Sequence, residues 1–267
     1  MSARTIAVWG SPRSGKTTFA CRLGMALASA KNERTGEDRK VIVVCPDNEI
    51  PALALLFPRR DREELPSMGR LLADPVIDRD KLLASLTAAE KGGSPSDRLA
   101  YLGYAPCDHA LRYPAPSPRA CARLWQILAE TADVLIADCP SDLRHPFAAL
   151  AANRAQTIFR LLTGDLQSTV WEASRRERYA KREDDPADAV RELDWEKQIP
   201  CAGNPDGNRF RPTEDFRHAV TDVRFSLPFR KEWQTAMAEG ELPYLPVGTR
   251  ERYFWGSVAR MGEADDV

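Results

Sequence analysis

Gly10-Ser11-Pro12-Arg13-Ser14-Gly15-Lys16-Thr17-Thr18 fills the pattern G-x-x-x-x-G-K-[ST] completely. A short apolar run, Thr5-Ile6-Ala7-Val8-Trp9, precedes it, and a run with helical spacing opens near Lys16. Strand, glycine loop and helix in that order form the context in which such a loop cradles phosphate. The glycines let backbone N–H groups curl inward, and the helix N-terminus adds unpaired donors and a partial positive charge. Within Gly10 to Thr18, Lys16 supplies a full charge for β- and γ-phosphates, and the Thr17 hydroxyl suits Mg²⁺.

Working outward, residues 16–30 read as a helix, with Phe19, Leu23, Ala26, Leu27 and Ala30 on one face. Val41-Ile42-Val43-Val44-Cys45 and Val134-Leu135-Ile136-Ala137-Asp138 are continuously apolar up to their last residue, as strands covered on both faces are. Further strands are expected at 98–104, 157–162, 198–202 and 223–227. Helices are expected at 67–73, 80–91, 119–131, 166–182, 213–218, 231–239 and 249–261. Leu82, Leu83 and Leu86 give the helix at 80–91 its apolar stripe. The alternation predicts an α/β fold: a mostly parallel central sheet with helices on both faces, three layers in all. No repeat or low-complexity linker divides the chain, so one domain over 1–267 is expected. Four prolines between 106 and 118 mark an irregular insertion near 105–118.

The 267 residues include 38 Lys and Arg against 39 Asp and Glu, a net charge of −1, which gives nucleic-acid binding no support. The basic run at 175–182 reads as a solvated helix face. The six cysteines show no C-x-x-C pairing and no metal-site spacing, which fits a reducing, cytoplasmic setting. No segment has the apolar length of a transmembrane helix.

Two acidic residues follow buried strands at the end where ligand chemistry gathers in open α/β sheets. Asp138 is placed to anchor Mg²⁺, and Asp47 to orient an attacking water or hold a metal-bound one. Asp142 has no such role and is expected to cap a helix.

With these residues in view, the chain resembles the ParA/MinD branch of P-loop ATPases. The resemblance rests on the N-terminal loop, on residues 41–47 as a first switch, on residues 134–140 as a second, and on the order of the closing strands. It implies ATP/ADP and Mg²⁺ as ligands, a protein partner and a nucleotide-dependent homodimer. It places Asn204, in Cys201-Ala202-Gly203-Asn204-Pro205, and Pro228 and Phe229 beside the adenine. Within the branch the chain looks most like the TadZ/CpaE type found with pilus-assembly and secretion systems, on Trp9-Gly10-Ser11-Pro12, Leu102-Gly103-Tyr104, Tyr113-Pro114 and Asp138-Cys139.

Two positions depart from the family pattern. Ser11 stands where the family has a lysine that reaches across the dimer, and Cys45 replaces the first aspartate of the switch pair. Arg13 is either a substitute cation or a surface arginine at the loop tip. ATP binding is therefore better supported than fast hydrolysis. The alternatives are a small-molecule phosphotransferase, with Arg59, Arg60 and Arg62 as a lid, and a non-hydrolysing nucleotide-binding scaffold. Aromatic residues at 250–258 are expected to pack on the domain rather than to enter a membrane.

Overall fold

The computed structural model describes residues 3–31, 36–58, 67–88, 98–106, 108, 112–113, 115–179, 193–195, 197–203, 214–220, 223–228 and 230–261. The apolar runs become strands β1 (Arg4–Gly10), β2 (Val41–Cys45), β4 (Leu99–Gly103), β5 (Val134–Asp138), β6 (Thr157–Leu162) and β7 (Gln198–Ala202). Two short strands complete the sheet, β3 (Thr87–Ala88) and β8 (Phe225–Ser226). The order across the sheet is β3-β4-β2-β5-β1-β6-β7-β8. Every pairing is parallel except that of β3 with β4.

Helices α1 (Lys16–Ala28), α2 (Ala52–Leu56), α3 (Met68–Ala73), α4 (Arg79–Ala84) and α5 (Pro118–Thr131) occupy the first half. In the second half come α6 (Pro146–Arg154), α7 (Leu166–Arg178), α8 (Glu214–Ala219), α9 (Lys231–Ala238) and α10 (Thr249–Met261). Side chains alternate across each strand, so each strand feeds two cores. Ile6, Val8, Val41, Val43, Ile136 and Phe159 pack with α1, α2, α9 and α10 on one face. Trp9, Ile42, Val44, Leu135, Ala137 and Ile158 pack with α3, α5, α6 and α7 on the other. This is the three-layer α/β architecture that the alternation predicts.

Three local expectations are corrected. The helix expected at 80–91 ends at Ala84, and the chain turns into β3, whose Thr87 is buried. Leu83 is 46% exposed, so the helix buries Leu82 and not the whole stripe. Helix α6 was not expected: its N-cap is His145, whose Nδ1 accepts from the Phe147 amide, followed by Pro146 in the first turn. Asp142, the expected cap, instead pairs with Arg144, Arg175 and Arg178. The basic run is thus partly tied down, since Arg176 also pairs with the buried Glu172.

The Pro-rich insertion is anchored through Asp108, which accepts from the Ala105 amide and from Ser67 Oγ, the N-cap of α3. At the other end of the chain, Trp255 and Val258 of α10 are buried against the α1 side of the sheet, while Tyr253 is exposed. Among the described residues no helix is long and apolar enough to cross a membrane.

Candidate functional site

Strand β1 lies between β5 and β6, so the loop that follows it sits at the middle of the sheet's carboxyl edge. The register sets Val8 beside Asp138 and Gly10 beside Leu161. Gly10 has φ 147, and a Cβ there would stand 1.9 Å from the Leu161 carbonyl oxygen. Any side chain would collide with backbone, so glycine is required for the chain to leave β1 this close to β6.

Gly15 forms the N-cap of α1 and offers no side chain to its first turn, which also contains no acidic residue. The partial positive charge of the helix end is therefore left for a ligand. Lys16 Nζ donates to the Ser11 carbonyl at 3.0 Å and to Ser141 Oγ at 2.8 Å. Burial pulls its pKa below the ordinary lysine value, against the opposing pull of Asp138, Asp47 and Cys139.

The Thr17 hydroxyl lies close enough to the carboxylate of Asp138 to favour its ionised form. Burial pushes Asp138 up to about 6; Thr17 and Lys16 act in the opposite direction, and Asp47 adds to the rise. A hydroxyl and a carboxylate side by side form a hard-oxygen pair suited to Mg²⁺, which completes its shell with water and phosphate oxygens. The residues present therefore fit the ion. Asp47 lies just beyond β2, half-buried, and its Oδ1 accepts from the amides of Glu49 and Ile50. It shapes its own loop while its charge reaches both Lys16 and Asp138.

Ser11 is fully buried. Its amide donates to the Leu161 carbonyl, its carbonyl accepts from Ser14 Oγ and Lys16 Nζ, and its hydroxyl lies 2.8 Å from Ser168 Oγ. All its polar groups are engaged inside the protein, so Ser11 frames the loop from below. Pro12 and Arg13 form the exposed tip, and Arg13 has φ 60, the one non-glycine residue with positive φ among those described. Ser14 is buried, and Thr18 is half-buried in the first turn of α1.

On the β7 side, a Cβ on Gly203 would stand 2.1 Å from the Ser14 carbonyl oxygen. The end of β7 thus rests directly on the phosphate loop. We expect Gly203→Ala to destabilise the protein by about 1–3 kcal/mol, the range for overpacking, read as a lower urea midpoint with unchanged slope. Leu227 Cδ2 lies within van der Waals reach of a Cβ on Gly15, and Pro228 follows it, half-buried. The segments after β7 and β8 therefore both border the loop. Asn204 and Phe229 lie outside the described residues, as do Arg59, Arg60 and Arg62.

Sequence reasoning overlooked Ser141 and Ser168. Ser141 stands in the Asp138-Cys139-Pro140-Ser141 run of the second switch but carried no assigned role, Ser168 belongs to no motif, and each reaches the loop through the fold, 125 and 157 positions along the chain from its partner.

No protein-family model matches the chain, and no curated protein matches it. Solved structures do. A ParA family ATPase from Chlorobium tepidum TLS superposes with a TM-score of 0.71 over 97% of this chain and 99% of that one, at 12% identity. The chain shares the fold of ParA and MinD ATPases. The cell division ATPase MinD of Pyrococcus furiosus gives a TM-score of 0.64 at 15% identity, covering 98% and 99%. The septum site-determining protein MinD from Pyrococcus horikoshii OT3, complexed with Mg-ADP, gives 0.63 at 16% identity, covering 98% and 96%.

Proposed function

We propose that this chain is an ATP-binding molecular switch and a slow, Mg²⁺-dependent ATPase, acting as one cytoplasmic P-loop domain that recruits or positions a protein partner. The observation that carries the reading is the convergence of Lys16, Thr17 and Asp138 on an uncapped helix N-terminus. Lys16 and the α1 amides would hold the phosphates of ATP or ADP. Thr17 and Asp138 would hold Mg²⁺, which supplies charge neutralisation of the phosphates when bound. Gly10 to Thr18 would wrap the phosphate tail, and Pro228, with Asn204 and Phe229, would flank the base. Asp47 would orient the attacking water. The Mg-ADP in the Pyrococcus horikoshii MinD supports this choice of ligand. Trp9-Gly10-Ser11-Pro12 and Asp138-Cys139 support a place among the ATPases of pilus assembly and secretion.

The burial of Ser11 supports the scaffold reading as a second possibility, because the position that carries a cation in the resembled family is here a neutral hydroxyl bonded to Ser168. In a nucleotide-dependent homodimer, Arg13 would be the loop cation exposed to the other copy. Turnover that is measurable and lowered by Arg13→Ala supports the switch; retained nucleotide with no turnover supports the scaffold.

The reading is tested by titrating the protein with ATP and Mg²⁺ in a calorimeter. Lys16→Ala is expected to weaken binding about tenfold to a hundredfold, the loss of a charge-assisted contact. Absence of ATP and ADP affinity in the unmodified protein, or unchanged affinity in Lys16→Ala, would falsify it.

A further inference from the structure

Lys16 is usually counted as self-sufficient in such a loop, yet here two neutral oxygens hold it. One is the Ser11 carbonyl, within the loop; the other is Ser141 Oγ, three residues beyond Asp138. Neutral acceptors fix the direction of an ammonium group without cancelling its charge, which stays available to an incoming phosphate. Carboxylates would do the opposite, and Asp138 and Asp47 act on Lys16 through space.

Ser141 is itself held from outside. Trp171 Nε1 of α7 donates to the Ser141 carbonyl at 3.2 Å. The next residue, Asp142, pairs with Arg175 and Arg178 of α7, and the Leu143 amide donates to the Tyr179 hydroxyl just past its end. The Trp171 ring meets Trp9, the residue before Gly10, with centroids 4.8 Å apart. Helix α7 therefore fixes three successive residues of the β5 loop and also packs on the strand that launches the phosphate loop.

We propose that Ser141 is the positioning residue for Lys16, fixing its ammonium in the phosphate loop together with the Ser11 carbonyl, and that α7 holds Ser141 in place through Trp171. The assignment rests on the nucleotide-binding reading above and deepens it. It makes the β5 loop a part of the phosphate site as well as of the metal site.

The test is a double-mutant cycle, with ATP and Mg²⁺ as the probe and affinity measured by calorimetry. Ser141→Ala is expected to weaken ATP binding about threefold to tenfold, the effect of one hydrogen bond to a charged group. Ser141→Thr, which keeps the hydroxyl, is expected to restore it. In the Lys16→Ala background, Ser141→Ala is expected to have no further effect, because partners in one interaction are not additive. A merely structural role would add the same loss in both backgrounds, and that result overturns the proposal. So does unchanged affinity in Ser141→Ala while Lys16→Ala still weakens binding, an outcome that leaves the nucleotide reading standing. Unchanged affinity in Lys16→Ala removes both. Thermal melts of each variant confirm that the comparison is made between folded proteins.

Discussion

Asp138→Asn is expected to raise the stability of the nucleotide-free protein and to abolish its Mg²⁺-dependent ATP binding, lowering affinity by a hundredfold or more on the order expected for a lost carboxylate ligand. The two effects have one cause. Asp138 is buried at the end of β5, and burial holds its pKa at about 6 against the pull of Thr17 and Lys16. Its ordinary value is about 3.9. A carboxyl group whose pKa is raised on folding stabilises the native state fully below the unfolded value and loses that contribution as pH rises through the folded value. At neutral pH the ionised Asp138 therefore costs about 3 kcal/mol in the ligand-free state, by the shift of roughly two units. Asparagine avoids that cost and keeps an oxygen for Thr17, but it carries no charge for a cation.

The same argument fixes the pH dependence. Between pH 7 and pH 5 the Asp138 contribution to the stability of the free protein increases as the carboxylate gains its proton. Over that interval the Mg²⁺-dependent part of ATP affinity falls, because the proton and the cation compete for one oxygen pair. Because His145, with its pKa lowered to about 4, loses stability over the same interval, the readout is the difference between the parent and Asp138→Asn: their gap in melting temperature should narrow from pH 7 to pH 5 while the parent's Mg²⁺-dependent ATP affinity falls. A variant that is both less stable and still Mg²⁺-responsive would show that Asp138 is a strand-end residue and not the cation's anchor.

The parts of this molecule that were legible in the sequence are those written locally. Val41 to Cys45 and Val134 to Ala137 are covered on both faces, so each of these residues is apolar, and the run itself announces a central strand. The phosphate loop is legible because its conformation requires glycine at fixed positions, as the contact of Gly10 with Leu161 shows. The β3 strand was not legible: two residues on an antiparallel edge leave no period to read. Helix α6 was missed because Phe147, Ala148, Ala149, Ala151 and Ala152 are all buried, which erases the contrast between two faces. Its cap is a histidine, whose Nε2 also meets the Tyr104 hydroxyl at 2.6 Å, and burial pulls its pKa down to about 4. Since Nδ1 accepts from Phe147, the neutral ring carries its proton on Nε2 and donates to Tyr104. The position of Asp142 suggests a cap, whereas Arg175 and Arg178 of the distant α7, together with the neighbouring Arg144, decide its role. Ser168 belongs to the same class, being an ordinary residue until the fold brings it to the loop, and Ser141, though it stands in the second-switch run, shows its bond to Lys16 only in the fold.

Arg22→Ala is expected to destabilise the protein by about 3–5 kcal/mol, the range for removing one partner of a buried ion pair. Arg22 lies in the middle of α1 with its side chain wholly buried. Its Nε and Nη2 both lie 2.6 Å from Glu251 Oε1 of α10. Its remaining donors serve the carbonyls of Leu245 and Pro246, and its guanidinium stands 5.7 Å from the Trp233 ring centroid. Trp255 Nε1 donates to the same Glu251 oxygen. Without Arg22 the Glu251 carboxylate and two carbonyls lose partners at a half-buried site, and the alanine leaves a void beside Trp233 and Met25. The void and the orphaned charge are separable. Arg22→Met fills much of the space but leaves Glu251 unpaired, and Arg22→Met with Glu251→Gln removes the charge as well. If the charge dominates, the double variant recovers most of the loss in urea denaturation; if packing dominates, Arg22→Met alone recovers it. In both cases α1 loses its polar attachment to the segment from Leu245 onward and keeps the packing of Phe19 on Trp255. Because α1 carries Lys16 and Thr17 at its other end, residual folded Arg22→Ala is expected to bind ATP more weakly than the parent. A loss below about 1 kcal/mol would show that α10 is held by Trp255 and Val258 alone.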